Sequence, residues 1–220
     1  MNSMVLIESV PLLMQGMLMT LKLWIGAAAV ALSCGIIWGI LRTDRIRIVC
    51  ISPMLDAITF ILRGIPFYVQ LLIAYYVLPD LFQVSISPEM AGIISLGLCS
   101  AAYVSQMVRA AVNAIAGEQW EAAWVLGFSM IQTVWYVIMP QVLRIVIPMI
   151  AGELDQLLKS TSIIATIGVV ELTRAGMNIV AREMQVVPVY LTVACAYLLI
   201  SSVLHGISVI VERRYLYDSC

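Results

Sequence analysis

The sequence predicts an all-α integral membrane protein of five transmembrane helices, with its N-terminus outside and its C-terminus cytoplasmic. Three observations lead there. Of 220 residues, 62% are hydrophobic and 11% charged, against roughly a quarter charged in an average soluble domain. Five apolar runs reach the roughly 20 residues that cross a hydrocarbon core. Arginines gather in two short segments, at Arg42, Arg45 and Arg47 and at Arg213 and Arg214, as they do on the cytoplasmic side of a membrane. Such a length leaves no room for a sizeable soluble domain, so residues 1–220 are expected to form one transmembrane domain.

The first span is expected over residues 11–41, with Lys22 close enough to one end to snorkel its ammonium to the interface. Ala31, Gly35 and Gly39 recur at intervals of four and admit a close neighbour. The second span, residues 54–78, ends at Pro79-Asp80, and the loop to Glu89 has no Lys or Arg, which puts it outside. The third, residues 90–114, returns to the cytoplasm near Arg109. The fourth, residues 135–158, leads outward. Between Lys159 and Gln185, charged residues such as Glu171, Arg174, Arg182 and Glu183 break the apolar pattern, so a short external or re-entrant helix is expected there. The last span covers residues 187–211.

Several function classes drop out. A net charge of −1 without a basic patch gives no basis for a nucleic-acid partner. Cys34, Cys50, Cys99, Cys195 and Cys220 are scattered singly and read as small core residues, not disulfides or metal ligands. The thirteen methionines fill irregular gaps, and His205, the one histidine, suits helix packing. Glu8 precedes the first run in place of a basic segment, so no cleaved signal peptide is expected. No nucleophile triad, HExxH or phosphate loop can be assembled, so the chain is not expected to be an enzyme and no cofactor or metal is assigned to it.

One stretch does not fit a plain bundle. Residues 118–131 are expected to form an amphipathic helix that leads straight into the fourth span. Glu118 and Glu121 sit in its first turn, where carboxylates meet the positive end of the helix dipole. Ala122, Ala123 and Gly127 offer a smooth side, and Trp120 and Trp124 suit an interface. By composition, this is either an interfacial helix with no partner or a docking helix.

Four segments in order carry a resemblance. Glu121-Ala122-Ala123 with Gly127, Pro140-Gln141 and Arg144 resembles the EAA loop of ATP-binding-cassette (ABC) importer permeases. Arg63-Gly64-Ile65-Pro66 with Gln70 resembles their RGTP segment, Ala102-Tyr103 to Arg109 resembles AYxxExxR, and Leu157-Leu158-Lys159-Ser160-Thr161-Ser162 resembles LLKDTS. Together these resemble the polar amino acid permeases of the histidine, glutamine and arginine uptake type. The resemblance implies that Glu121, Ala122, Ala123 and Gly127 seat in a separate ATPase subunit, which alone uses ATP. It also implies a second permease chain, identical or paralogous, an extracytoplasmic solute-binding protein, and a bacterial inner membrane. ATP-driven closure of the ATPase would move the fourth helix rigidly through Trp135 to Pro140 and switch the cavity between inward-facing and outward-facing. The sequence departs from the pattern at Gln106, Gly152 and Ser160, where the family usually has glutamate, asparagine and aspartate. Loss of the last carboxylate argues against a strongly cationic substrate.

Charges at membrane depth cost about 2.5–3.5 kcal/mol each even on lenient scales, so they face a cavity or a partner. Arg63, Glu153, Asp155 and Lys159 qualify. Asp155 and Lys159 are four apart and make an ordinary helical pair. Glu153 lies about 200° round the helix from Asp155 and looks elsewhere. Arg63 begins a Gly-Ile-Pro interruption where backbone can unwind and line a cavity. A free amino acid carries a carboxylate, which Arg63 can grip bidentately, and an ammonium, which Glu153 can accept. Ser160, Thr161 and Ser162 complete the expected substrate group. The alternatives are helix-tying roles for Arg63 and Glu153, a permease for methionine, an opine or a peptide, and a secondary transporter, for which neither inverted repeats nor a buried relay is visible.

Overall fold

A computed structural model describes residues 3–46 and 48–217, so Arg47 and Cys220 lie outside the described residues. The described residues are all helical or connecting, with no strand. α1 (Ser3–Leu41) is followed by α2 (Ile51–Gly64) and by α3 (Phe67–Phe82), which meets α2 at 104°. α4 (Pro88–Asn113), α5 (Gly117–Val125) and a long helix α6 follow. α6 runs from Met130–Gln132 through a π-helical stretch, Thr133–Ile138, into Met139–Ser160. A 3-10 helix (Thr161–Ile167), α7 (Leu172–Glu183) and α8 (Val186–Tyr217) complete the chain. Four of these helices are long and apolar enough to cross a membrane, and five spans result if α2 and α3 are one broken crossing.

The expected second span is therefore two helices instead of one rod. Pro66 has no N–H to donate and disfavours helix at the residue before it, and Ile65 is accordingly extended (φ −95°, ψ 132°). Two further prolines leave a milder mark. Pro79 and Pro140 each sit just after a π-helical stretch, Ile73–Val77 and Thr133–Ile138, where the helix widens around the missing hydrogen bond and the ring's clash with the preceding turn. The expected rigid link from Trp135 to Pro140 is thus continuous helix, but of a locally wider kind.

α1 and α4 form the centre of the bundle. A Cβ added to Gly35 would stand 2.6 Å from the Val104 side chain, and one added to Gly39 would stand 2.6 Å from Val108, so glycine is what lets the two backbones approach. Below this seam, Val104, Val108, Ala111 and Ile115 pack with Trp120 of α5 and Ile138, Val142 and Val146 of α6. At the other end, Leu13 of α1, Leu172, Ala175 and Ile179 of α7 and Val189 and Val193 of α8 form a second core. The mixed stretch after Lys159 is the predicted short helix, α7. It is capped by the fully buried Glu171, whose carboxylate accepts from the Thr173 and Arg174 amides and from the Tyr197 hydroxyl.

Arg42 does not act as a solvated loop charge. Its side chain is 2% exposed, and its guanidinium donates to Asp56 Oδ1 at 2.7 Å and Ser105 Oγ at 2.8 Å, with Gln106 Oε1 at 3.5 Å. Arg109 reaches the same Asp56 oxygen at 3.2 Å, so one carboxylate ties α1, α2 and α4.

Candidate functional site

The break between α2 and α3 opens a cavity of about 400 Å³. It is lined by Arg63, Ile65, Pro66 and Phe67 on one side, Cys99, Ser100 and Tyr103 from α4 on another, and Glu153, Gln156 and Ser160 from α6 on the third. Its charged lining is one cation, Arg63, and one anion, Glu153. Arg63 donates from Nε to the Thr59 carbonyl at 3.3 Å, which leaves the other guanidinium donors for the cavity. Ser100 donates to Glu153 Oε1 at 2.6 Å, which uses one carboxylate lone pair and fixes the group's direction. The result is a small chamber with opposite charges on different walls, suited to a molecule that carries both.

Three of the five expected substrate residues, Arg63, Glu153 and Ser160, share this cavity. Thr161 and Ser162 do not. Thr161 is fully buried and donates to the Leu158 carbonyl at 2.6 Å. Ser162 donates to the Lys159 carbonyl and lines a separate groove with Thr173, Tyr190 and Tyr197. The reason is that α6 gives way to the tighter 3-10 helix at Thr161, so the register of the preceding turns does not continue. Asp155 and Lys159 make the expected pair at 2.6 Å. Asp155 borders a larger groove of about 690 Å³ between α6 and α8, which also holds His205, Ser201 and Glu212, whereas Lys159 lines the groove that holds Ser162. The larger groove offers carboxylates without a cation of its own to meet a substrate carboxylate, so the smaller cavity is the better site.

Ser100, Tyr103 and Gln156 are additional lining residues. The sequence held a signal for two of them. Glu153, Gln156 and Ser160 fall at i, i+3 and i+7 on one face of α6, and Tyr103 belongs to a segment that carries the family resemblance. Ser100 has no such signal, because only the packing of α4 on α6 brings it to Glu153.

At the opposite end, the expected helix over residues 118–131 is divided. α5 stops at Val125, and Gly127 takes a left-handed conformation (φ 81°). Phe128 N–H donates to the Ala123 carbonyl and Gly127 N–H to the Trp124 carbonyl, a Schellman end that favours glycine at this position. Ser129 and Gln132 then exchange hydrogen bonds in a capping box that starts α6. Glu121, Ala122 and Gly127 are exposed, together with the apolar Trp124, Val125, Leu126 and Ile131. Ala123 instead turns inward beside Trp120, both nearly fully buried. The Arg45 guanidinium lies 4.9 Å from the Trp120 ring centroid, so the loop after α1 holds α5 against the bundle, a contact worth about 0.5–1 kcal/mol.

Comparison with known proteins places this architecture. Residues 31–217 match the family described as binding-protein-dependent transport system inner membrane component. The chain is 33% identical over 213 residues to the glutamine transport system permease protein GlnP of Escherichia coli (strain K12), covering 94% of each. It is 30% identical over 205 residues to the L-cystine transport system permease protein TcyB of Bacillus subtilis (strain 168), covering 93% of this chain and 86% of that one. Among solved structures, an amino acid ABC transporter with histidines matches with a TM-score of 0.88 at 28% identity, over 97% of this chain and 99% of that one. The inward-facing MetNI methionine ABC transporter matches at 0.72 and 19% identity over 98% of this chain and 99% of that one, which shows the shared fold alone. The chain therefore belongs to the binding-protein-dependent transport system inner membrane components, the permease subunits of ABC importers.

Proposed function

We propose that this chain forms, with a second permease chain, the translocation path for a polar L-amino acid, driven by separate ATPase subunits and fed by an external solute-binding protein. The single observation that carries the reading is the cavity at the α2–α3 break, with Arg63 and Glu153 on different walls. A zwitterion's carboxylate meets a guanidinium there, and its ammonium meets a carboxylate held by Ser100. The relatives' names point the same way, since they are permeases for glutamine and L-cystine. The exposed Glu121, Ala122 and Gly127, flanked by Trp124 and Leu126, form the surface for the ATPase.

Transport by the complete importer in proteoliposomes, with all twenty amino acids as competitors, tests this reading. Arg63→Met removes the carboxylate's partner and is expected to raise KM by about 10- to 100-fold, the cost of a lost charge-assisted bond of roughly 1.5–3 kcal/mol. Undiminished transport by Arg63→Met would remove the basis for the site.

Selectivity offers a second test. Ser160 lines the cavity where the family usually has aspartate, and its hydroxyl donates to the Gln156 carbonyl at 2.9 Å. Ser160→Asp supplies a second carboxylate and is expected to shift the kcat/KM ratio toward cationic amino acids by about tenfold or more. An unchanged arginine-to-glutamine ratio would place the side-chain subsite elsewhere.

A further inference from the structure

The helix break that presents Arg63 leaves a particular carbonyl without its partner. In a continuous helix the Leu62 carbonyl would accept from the N–H of residue 66, four positions on, but residue 66 is proline and has no N–H. The Ile65 carbonyl, in the extended residue at the corner, also lacks a helical donor, because the Val69 amide donates to the Pro66 carbonyl instead. Both carbonyls receive the same side chain. Gln70 Nε2 donates to the Leu62 oxygen at 2.6 Å and to the Ile65 oxygen at 2.7 Å, so one amide group's two protons replace the missing backbone donors.

The same nitrogen lies 3.8 Å from Cys99 Sγ, and that sulfur is 4.0 Å from the Leu62 oxygen. Cys99 precedes Ser100, the residue that orients Glu153. Gln70 therefore stands where the wall carrying Arg63 meets the α4 wall, whose Ser100 orients Glu153, although it is not itself part of the cavity lining. Among uncharged side chains of this length, only a primary amide supplies two donors to two carbonyls. A carboxylate has none, and a hydrocarbon of the same shape has none.

We propose that Gln70 is a positioning residue for substrate recognition: its side-chain amide substitutes for the absent N–H of Pro66, holds the α2–α3 corner at its angle, and thereby fixes where the Arg63 guanidinium meets the substrate carboxylate. This rests on the reading of the Arg63–Glu153 cavity as the substrate site, and it is tested separately from it.

The experiment compares wild type, Gln70→Leu, Gln70→Glu, Arg63→Met and the double variant Gln70→Leu/Arg63→Met, each assembled with the ATPase and reconstituted in proteoliposomes, with glutamine uptake as the readout. Gln70→Leu and Gln70→Glu are each expected to raise KM by about tenfold or more, with kcat changed far less, since neither supplies the two donors. Because Gln70 acts through Arg63, the double variant is expected to be no worse than Arg63→Met alone. Effects that multiply in the double variant would show a general structural role and overturn the proposal, as would a wild-type KM in Gln70→Leu. If Gln70→Leu does not assemble, Gln70→Glu and a Gln70→Asn variant, whose amide is one methylene shorter, carry the same comparison. Should Arg63→Met itself transport normally, the substrate site falls; should Arg63→Met fail and Gln70→Leu transport normally, only the positioning role falls.

Discussion

Ala122→Arg is expected to abolish co-purification of the ATPase while leaving the chain's own melting temperature unchanged. Ala122 is exposed on α5, so a long cation there meets nothing within the chain, but it would enter any cleft that receives the helix. A buried clash of this kind costs about 2–4 kcal/mol, roughly a 30-fold loss of affinity or more. The position matters. At Ala123 the same change would break the chain's own contact beside Trp120, and at Gly127 it would force a side chain into left-handed backbone, so a loss at either site would not separate docking from folding. Quantifying the ATPase retained on an affinity-tagged permease gives the answer, and wild-type recovery with Ala122→Arg would remove α5 as the docking element.

The second large effect is one of stability. Asp56→Ala strips the carboxylate from Arg42, whose side chain is 2% exposed and is left with Ser105 and a long contact to Gln106. Removing one partner of a buried pair costs about 3–5 kcal/mol, because the remaining charge stays desolvated. At roughly 2–4 °C per kcal/mol for a chain of this size, the melting temperature in detergent is expected to fall by about 10 °C. Arg109 loses the same oxygen, so α1, α2 and α4 loosen together. An unchanged melting temperature would show that Arg42 finds water or another acceptor. The network also gives the departure at Gln106 a physical setting, since a neutral amide reaches Arg42 where the family usually offers a second carboxylate.

Part of the candidate cavity's lining was legible in the sequence. Intramembrane charge is expensive enough that Arg63 and Glu153 had to face something, and the Gly-Ile-Pro after Arg63 marked where backbone would open. The helical pairing of Asp155 with Lys159 followed from spacing alone. Thr161 and Ser162 were expected in the substrate group as hydroxyl donors within the segment that resembles LLKDTS. The change to 3-10 geometry that sends them elsewhere depends on how the chain turns to pack the next segment, with Ile164 and Ile167 going into the core beside Leu157.

Taken by itself, the sequence determined the all-helical class and the presence of several helices apolar enough to cross a membrane, because hydrophobic length acts locally and does not need a partner in space. Tertiary structure decided the rest. The meeting of Ser100 with Glu153 and the burial of Arg42 against Asp56 and Ser105 each depend on contacts between residues remote in the chain. The close approach of α1 and α4 likewise depends on packing, at Gly35 against Val104 and Gly39 against Val108, which hydropathy does not encode.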